Sequence, residues 1–547
     1  MNQINRSNIL TKLRLDRNSF LNPTDATLGM LSLIFSSLYV ICLCGYFVPG
    51  WETNDDAGMS MILYGYGIAS FPSSNIVFSN VLWAHFIQLI PSIHGILGYS
   101  LATIGVLIIS GALMLYCLIK LETGRLISLL IVIFLITRPV LFPQFTINSG
   151  LLVVSAILCW AVYAKQRSVT ILVIGTALAF CSYLIRSNEF VFVLFLSLPL
   201  LPWKIFVNDR IVQITIGCLF IAIVGAASID KLSYQNSEWT AFNSLNEARL
   251  PYTDFRAGNI LKQNPDFLKT HGYSANDMDL IRYWFFVDET IADPAKLTAM
   301  QKEMGVTSSL KDSWTNGWHG IQVLWQSRLL PLTIAALLFY LLRPKWKIAA
   351  VWALSLIAFF CIGFGGRPGV LRVYVPVLYL LIIAPFIVNC LDPIRRKIAI
   401  TVLLVATYVY SSAAIYESRI FQTQSSKITQ SLHDFPNSPV VIFGGVFPFE
   451  FAFPVLGQNN LTRPYRFYGL NVFTLAPYAV SKTESQHGRD LITMLKSDEG
   501  VSIIADNQRI DYLGIYCKEH LNRRLKIIDT QNFGDLQMHR LQCSITP

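Results

Sequence analysis

Long apolar runs separated by short polar stretches make up most of the chain as far as residue 416. A helix needs roughly 20 apolar residues to cross the hydrocarbon core of a membrane, and about eleven runs approach that length. They lie at 27–49, 97–119, 126–143, 149–164, 168–185, 190–203, 211–228, 321–342, 348–365, 373–391 and 398–416. This pattern predicts an all-α polytopic membrane protein with a transmembrane part at 27–416.

The basic residues between these runs predict an orientation. If the N-terminus is cytoplasmic, every inner segment carries at least two of them, as at Lys120 and Arg125 or at Lys165 and Arg167. Such an excess is typical of cytoplasmic loops. We therefore expect residues 1–26 to form a cytoplasmic leader, the first span to be an uncleaved signal anchor, and the C-terminus to lie outside a bacterial inner (plasma) membrane.

Two outer connections, 50–96 and 229–320, are long enough to carry structure of their own. The first contains the run from Phe78 to Ile90, which is too short to span and predicts an interfacial helix. The second is rich in aromatic residues and in helix-like runs, which favours a folded external cap over a disordered linker.

Beyond residue 416 the polar content rises to that of a soluble domain. Short β-branched runs at 440–443, 501–504 and 526–528 predict strands, and 509–523 predicts a helix. We expect a small external α/β domain at 417–547. Its two cysteines, Cys517 and Cys543, could form a disulfide in an oxidising compartment.

Composition supports a membrane protein and excludes several partners. Hydrophobic residues make up 53% of the chain and charged residues only 14%, with a mean hydropathy of +0.49, which is too apolar for a soluble chain of this length. The net charge of +10 is spread over short clusters between spans, so no nucleic-acid partner is predicted. Glycine-rich nucleotide motifs are absent from the sequence, which disfavours ATP or a sugar nucleotide as a direct substrate.

Three acids, Glu52, Asp55 and Asp56, follow the first span directly. The connection from there to the second span, residues 50–96, contains no Lys or Arg. Carboxylates at a membrane surface are costly unless they have a function. An adjacent pair can supply a general base for a hydroxyl, together with a hydrogen-bonding or metal-binding partner. A solvated acidic loop is the alternative, and these residues alone leave both interpretations open.

Five arginines lie at the outer ends of predicted spans, on the side that the charge rule depletes of basic residues. The planar guanidinium suits phosphate, although each side chain alone could instead extend to lipid headgroups. Together with the aspartates they predict a site for a lipid-linked phosphate ester. They are Arg138, Arg186, Arg328, Arg367 and Arg372.

Four features together resemble one superfamily. They are the T-N-D-D-A-G-M stretch from Thr53, the interfacial helix, the large loop between spans seven and eight, and the G-R-P-G-V-L-R sequence from Gly366 to Arg372. The chain resembles the integral-membrane GT-C glycosyltransferases, most closely bacterial members that decorate cell-surface glycans such as lipopolysaccharide from polyprenyl-phosphate sugars. The resemblance implies a catalytic acid in the first external loop, and we expect Asp55 as the base with Asp56 as its partner.

The resemblance also implies a reaction. We expect a hexose to move, with inversion, from an undecaprenyl-phosphate donor to a glycan or lipid acceptor at the outer membrane face. No cofactor is required, but a divalent cation (Mg or Mn) stays open, with Asp55 and Asp56 as its only candidate ligands. A polysaccharide polymerase or ligase and a lipid-linked glycan transporter are the alternatives. Candidate acceptor or sugar contacts are Glu52, His85, Glu189, Tyr252, Asp254 and His319.

Overall fold

The computed structural model describes residues 23–255, 257–305, 310–388, 392–458, 460, 462–463 and 465–545. Residues 1–22, which hold most of the expected leader, lie outside the described residues. All structural statements below concern the described part of the chain.

The first part of the chain forms helices in close succession, most of them apolar. They are α1 (Pro23–Tyr46), α2 (Asn54–Tyr64), α3 (Val81–Gln88), α4 (Gly98–Lys120), α5 (Arg125–Leu141), α6 (Phe145–Gln166), α7 (Val169–Ile185), α8 (Ser187–Ser197), α9 (Trp203–Asn208) and α10 (Arg210–Ser233). Helix α3 falls where the interfacial helix is predicted, and Asn80 caps it by accepting a hydrogen bond from the backbone N–H of Leu82 (3.0 Å).

The predicted external cap is helical. Its helices are α11 (Ser237–Thr253), α12 (Ala257–Leu261), α13 (Pro265–Thr270), α14 (Ala275–Arg282), α15 (Pro294–Met304) and α16 (Leu310–Gln322). The chain then returns to the membrane part through α17 (Leu330–Leu342), α18 (Trp346–Phe364), α19 (Leu371–Val388) and α20 (Pro393–Ser431).

The membrane prediction is confirmed, since seven described helices are long and apolar enough to cross a bilayer. They are α1, α4, α6, α10, α18, α19 and α20, and the bent pair of α16 and α17 would make an eighth span. The other predicted spans coincide with α5, α7 and α8, which have 17, 17 and 11 residues and are short for a crossing. Helix α6 is the central helix, because its apolar window is wholly buried among the others.

The expectation of a straight eighth span at 321–342 is wrong. Helix α16 ends at Gln322, a 3₁₀ turn covers Val323–Trp325, and α17 leaves at an angle of 86°. Pro331 lies in the first turn of α17, where its missing backbone N–H costs no intrahelical hydrogen bond, so it favours the start of a new helix at this position. Arg328, expected at the end of a predicted span, lies in this break with its side chain half exposed.

Helix α20 connects the membrane part to the C-terminal domain. Its 39 residues span about 58 Å at 1.5 Å per residue, nearly twice the roughly 30 Å of a hydrocarbon core. The helix therefore continues well past residue 416, where the sequence suggests a change to soluble composition.

The predicted α/β domain is confirmed. Its strands are β1 (Val440–Phe443), β2 (Phe467–Leu470), β3 (Val501–Ile504), β4 (Arg524–Phe533) and β5 (Leu536–Ser544), and its helices are α21 (Phe449–Ala452), α22 (Val480–Gln486), α23 (Leu491–Lys496) and α24 (Asn507–Leu521). The five-stranded sheet has the order β2-β1-β3-β5-β4. Strands β2, β1 and β3 run parallel, whereas β5 is antiparallel to both β3 and β4.

The cap and this domain share one hydrophobic core. Leu245, Leu280 and Phe285 of the cap belong to the same buried cluster as Ile503 and Leu513 of the domain. We call the two together the external layer, after the side of the membrane that the sequence predicts for both. Cys517 and Cys543 lie in this core and form the predicted disulfide.

Candidate active site

A cavity of about 280 Å³ opens where several helix ends meet, on the side predicted to face outward. Its wall carries four charged side chains among apolar ones, Glu52, Arg138, Arg328 and Arg372. They come from the loop after α1, the end of α5, the break before α17 and the start of α19. Residues far apart in the sequence therefore converge on one small polar space.

Asp55 and Arg372 form an ion pair next to this cavity. Helix α2 begins at Asn54, so Asp55 lies in its first turn, where the helix dipole favours a negative charge. About a quarter of the Asp55 side chain is exposed (26%), and its partner Arg372 lines the cavity. The pair thus places an accessible carboxylate beside an accessible guanidinium.

Asp56 faces the protein interior instead. Its Oδ1 accepts hydrogen bonds from the Tyr99 hydroxyl (2.9 Å) and the Phe145 backbone N–H (3.1 Å), and Oδ2 has no partner among the described residues. Complete burial raises the pKa of this carboxyl well above its usual value, and the charge of Asp55 adds to that rise. Successive helical residues point about 100° apart, so the two aspartates have different surroundings.

Arg138 and Arg328 are held by carboxylates. Arg138 donates to Glu52 (3.1 Å) and to Glu417 (3.0 Å), and Arg328 lies 3.4 Å and 3.6 Å from the same two acids. We call Glu52, Arg138, Arg328 and Glu417 the ion-pair network. Glu417 is not among the residues that the sequence singles out, because it lies past the last predicted span. The long helix α20 brings it to Arg138 and Arg328.

Arg186 is arranged differently from the other four arginines. Its guanidinium donates to the Phe78 carbonyl (3.0 Å) and lies near the rings of Phe78 and Phe145, 5.8 Å and 5.4 Å from their centres. No carboxylate lies within ion-pair distance of it in the described part of the chain. Its charged neighbours are Asp55, Glu189, Arg372 and Arg367, so it adds a guanidinium without an ion-pair partner beside the Asp55–Arg372 pair.

Arg367 joins the glycine-rich loop to the external layer. It pairs with Asp254 (3.1 Å), and Asp254 also accepts from Arg249 (3.2 Å), whose guanidinium lies 4.1 Å from the centre of the Trp284 ring. The predicted phosphate arginines therefore form three groups: Arg372 and Arg186 near Asp55, two in the ion-pair network, and Arg367 at the external layer.

Of the candidate acceptor contacts, only Glu52 lines the cavity. Tyr252 is fully buried in the core of the external layer, where its hydroxyl donates to the Leu297 carbonyl (2.7 Å). Glu189 is buried near Arg186 and Arg372, and its Oε1 has no partner among the described residues. His85 on α3 and His319 on α16 are exposed and do not line the cavity.

The two aspartates do not fit a divalent cation by themselves. A hard cation takes six or more oxygen ligands that point at one position, whereas Asp55 pairs with Arg372 and Asp56 faces Tyr99. Within the described ranges, the one converging set of His and acidic groups is Asp277, Glu519 and His520 in the external layer.

Comparison with known proteins gives two structural neighbours. No protein-family model and no curated protein sequence matches the chain. It is similar to the crystal structure of ArnT from Cupriavidus metallidurans in the apo state, with 12% identity, a TM-score of 0.38 and coverage of 95% of this chain and 99% of that one. The structure of the same protein bound to undecaprenyl phosphate has 10% identity, a TM-score of 0.37 and coverage of 96% and 100%.

Proposed function

We propose that the protein is an inverting glycosyltransferase, which moves a hexose from a polyprenyl-phosphate donor to a cell-surface glycan or lipid acceptor. The observation that carries the proposal is the Asp55–Arg372 ion pair beside the cavity. This transfer needs a base for the acceptor hydroxyl and a cation for the departing phosphate. The pair offers both groups within contact of each other.

In the proposed reaction the sugar occupies the cavity, and the donor phosphate lies against Arg372 and Arg186. Asp55 takes the proton of the acceptor hydroxyl as its oxygen attacks the anomeric carbon from the face opposite the phosphate. The bond between the anomeric carbon and the phosphate oxygen breaks, and its electron pair stays on the phosphate. The new glycosidic bond has the inverted configuration.

The charges of Asp55 and of the donor phosphate change during the reaction in a way that favours catalysis by the Asp55–Arg372 pair. As Asp55 gains the proton it loses its negative charge, so its attraction for Arg372 falls. The phosphate gains negative charge at the same time, because a diester becomes a monoester. Arg372 can then stabilise the leaving group more strongly in the transition state than in the ground state, which is the condition for faster chemistry.

Asp56 has a positioning role in this proposal. Its buried carboxyl ties the first turn of α2 to Tyr99 and to the start of α6. We propose that this contact fixes the direction of Asp55. No metal is needed for any step, and a requirement for Mg or Mn is an outcome of the test.

Transfer of radiolabelled sugar from a panel of polyprenyl-phosphate sugars tests the proposal. We expect Asp55→Asn to abolish transfer, because an amide cannot accept the hydroxyl proton. Asp56→Asn keeps an oxygen for both of its donors and should retain more activity. Arg372→Gln should lower kcat/KM by about 10²-fold or more, the usual effect of removing one transition-state donor.

Parallel assays with EDTA report on the metal, and all variants are compared as folded, membrane-inserted protein. Near-normal transfer by Asp55→Asn would contradict the catalytic assignment. If the unmodified protein consumed no donor, the proposal would fail in favour of a polymerase, a ligase or a lipid-linked glycan transporter. The orientation, with this site outside a bacterial inner membrane and the N-terminus inside, belongs to the same proposal.

A further inference from the structure

The ion-pair network is balanced in charge. Two carboxylates, Glu52 and Glu417, each lie near two guanidinium groups, Arg138 and Arg328, at 3.0 to 3.6 Å. Three of its four members line the cavity wall. The network therefore presents strong polar groups to the cavity without an excess of either charge.

The charge balance of the network matters for ligand binding because two of its members are buried. The side chains of Arg138 and Glu52 are only 10% and 14% exposed, so water does little to screen a mismatched charge nearby. An unpaired charge in such surroundings is costly. An ammonium group on a ligand would be repelled by Arg138, and a carboxylate on a ligand would be repelled by Glu52. Neither Glu52 nor Arg138 could neutralise the new charge, because each is already paired within the network.

A sugar hydroxyl avoids that cost. A hydroxyl both donates and accepts hydrogen bonds. Carboxylate oxygens of the network can accept from it, and guanidinium N–H groups can donate to it. The cavity volume of about 280 Å³ lies at the small end of ligand pockets, which suits one sugar residue and excludes a chain of several.

The phosphate position differs from the network in charge. Arg372 is matched by Asp55, whereas Arg186 makes no ion pair among the described residues. Its buried neighbour Glu189 has a pKa raised by burial, which favours the uncharged carboxyl and leaves positive charge there. A polyprenyl-phosphate sugar carries one negative charge at its diester phosphate. The two parts of the site thus match a donor that is anionic at the phosphate and uncharged at the sugar.

We infer that the ion-pair network restricts the donor to uncharged, hydroxyl-rich sugars and rejects both amino sugars and uronic acids. The inference rests on the proposed function and adds a determinant of specificity to it. Glu417 and Arg328 are its most informative residues, because they are the more exposed members, at 30% and 50%, and can be neutralised singly.

The test compares kcat/KM for three donors with the same polyprenyl phosphate and different sugars: a neutral hexose, a hexosamine with a free amine and a hexuronate. The full-length protein should prefer the neutral donor. Arg328→Gln leaves an excess negative charge and should raise use of the hexosamine relative to the neutral donor by about tenfold. Glu417→Gln leaves an excess positive charge and should do the same for the hexuronate.

The double variant Arg328→Gln/Glu417→Gln restores the balance and should return the preference to the neutral donor. Arg395→Gln and Asp392→Asn are matched controls, because this exposed pair at the start of α20 lies away from the cavity; they should leave the donor ratios unchanged. The inference is overturned if the unmodified protein prefers a charged sugar, or if it uses the neutral donor but the variants leave the ratios unchanged. A protein that transfers none of the three sugars overturns the proposed function and this inference with it.

Discussion

Asp56 is a buried carboxyl group with one oxygen unpartnered among the described residues, a condition that it shares with Glu189. Burial raises the pKa of Asp56 well above the ordinary value, whereas in the unfolded chain a carboxyl has a pKa of about 3.9. At pH values between the unfolded and the folded pKa, the Asp56 carboxyl is therefore protonated in the folded protein and ionised in the unfolded chain. Its contribution to stability is most favourable below the unfolded pKa and falls as pH rises toward the folded pKa.

This sign leads to a prediction for Asp56→Asn. An amide has the shape of the protonated acid and does not ionise, so the variant should lack this part of the pH dependence. Relative to the variant, the unmodified protein should lose thermal stability as pH rises from 5 to 8. The difference should be about 1.4 kcal/mol for each unit of the pKa shift that lies in this range.

Thermal unfolding of the detergent-solubilised protein at several pH values measures the effect. Asp392→Asn is the control, since that exposed carboxylate pairs with Arg395 at the protein surface, and it should follow the unmodified protein. If the stability difference between Asp56→Asn and the unmodified protein stayed constant with pH, the carboxyl would be ionised in the folded state.

At the scale of elements, the glycine-rich loop between α18 and α19 determines where Arg372 lies. Gly366 and Gly369 have φ values of 88° and 87°, a region that is strained for other residues. A Cβ at Gly369 would meet only Val323 Cγ2 at 3.7 Å, which is an ordinary contact. Alanine there would therefore act through backbone strain of about 1–2 kcal/mol.

We expect Gly369→Ala to lower kcat/KM for transfer by about tenfold, because relief of the strain would move Val370, Leu371 and Arg372, which line the cavity. Gly272→Ala is the matched control. Gly272 has a φ of 75° and open space around it in the external layer, so this variant bears similar strain at a distance from the site. Steady-state kinetics of the two variants with the same donor would decide, and an equal loss in both would mean that the loop does not position Arg372.

Elements also show what the sequence could predict. Apolar runs predicted the position of each membrane helix, since hydropathy and length are local properties. The 86° break before α17 was missed, although Pro331 was a local signal for it. The adjacent acids and the outer arginines were identified as candidates, but their division into an Asp55–Arg372 pair, a buried Asp56 and an ion-pair network depends on packing. Glu417 and Glu52 are far apart in the chain, and no local pattern relates them.

At the scale of the whole molecule, the external layer combines two segments that the sequence separates by more than a hundred residues. The Tyr516 hydroxyl donates to Asp288 (2.7 Å), and the rings of Phe285 and Tyr516 lie 5.0 Å apart. Arg367 then ties this layer to the loop beside the cavity through Asp254. The C-terminal domain is therefore packed against the cap, which contacts the loop beside the cavity, and we expect the two segments to unfold together.

Removal of the disulfide tests whether the cap and the C-terminal domain depend on each other for stability. The variant Cys517→Ser/Cys543→Ser opens a link between residues 26 apart in sequence, and the expected loss of stability is about 2–4 kcal/mol. Because the cap shares its core with α24 and the sheet, we expect limited proteolysis to cut the cap at 237–305 faster as well as the C-terminal domain. Cys218→Ser on the exposed surface of α10 is the control and should leave both cleavage rates unchanged. Faster cleavage of the C-terminal domain alone would show that the two segments are stable independently, and that the shared core contributes little.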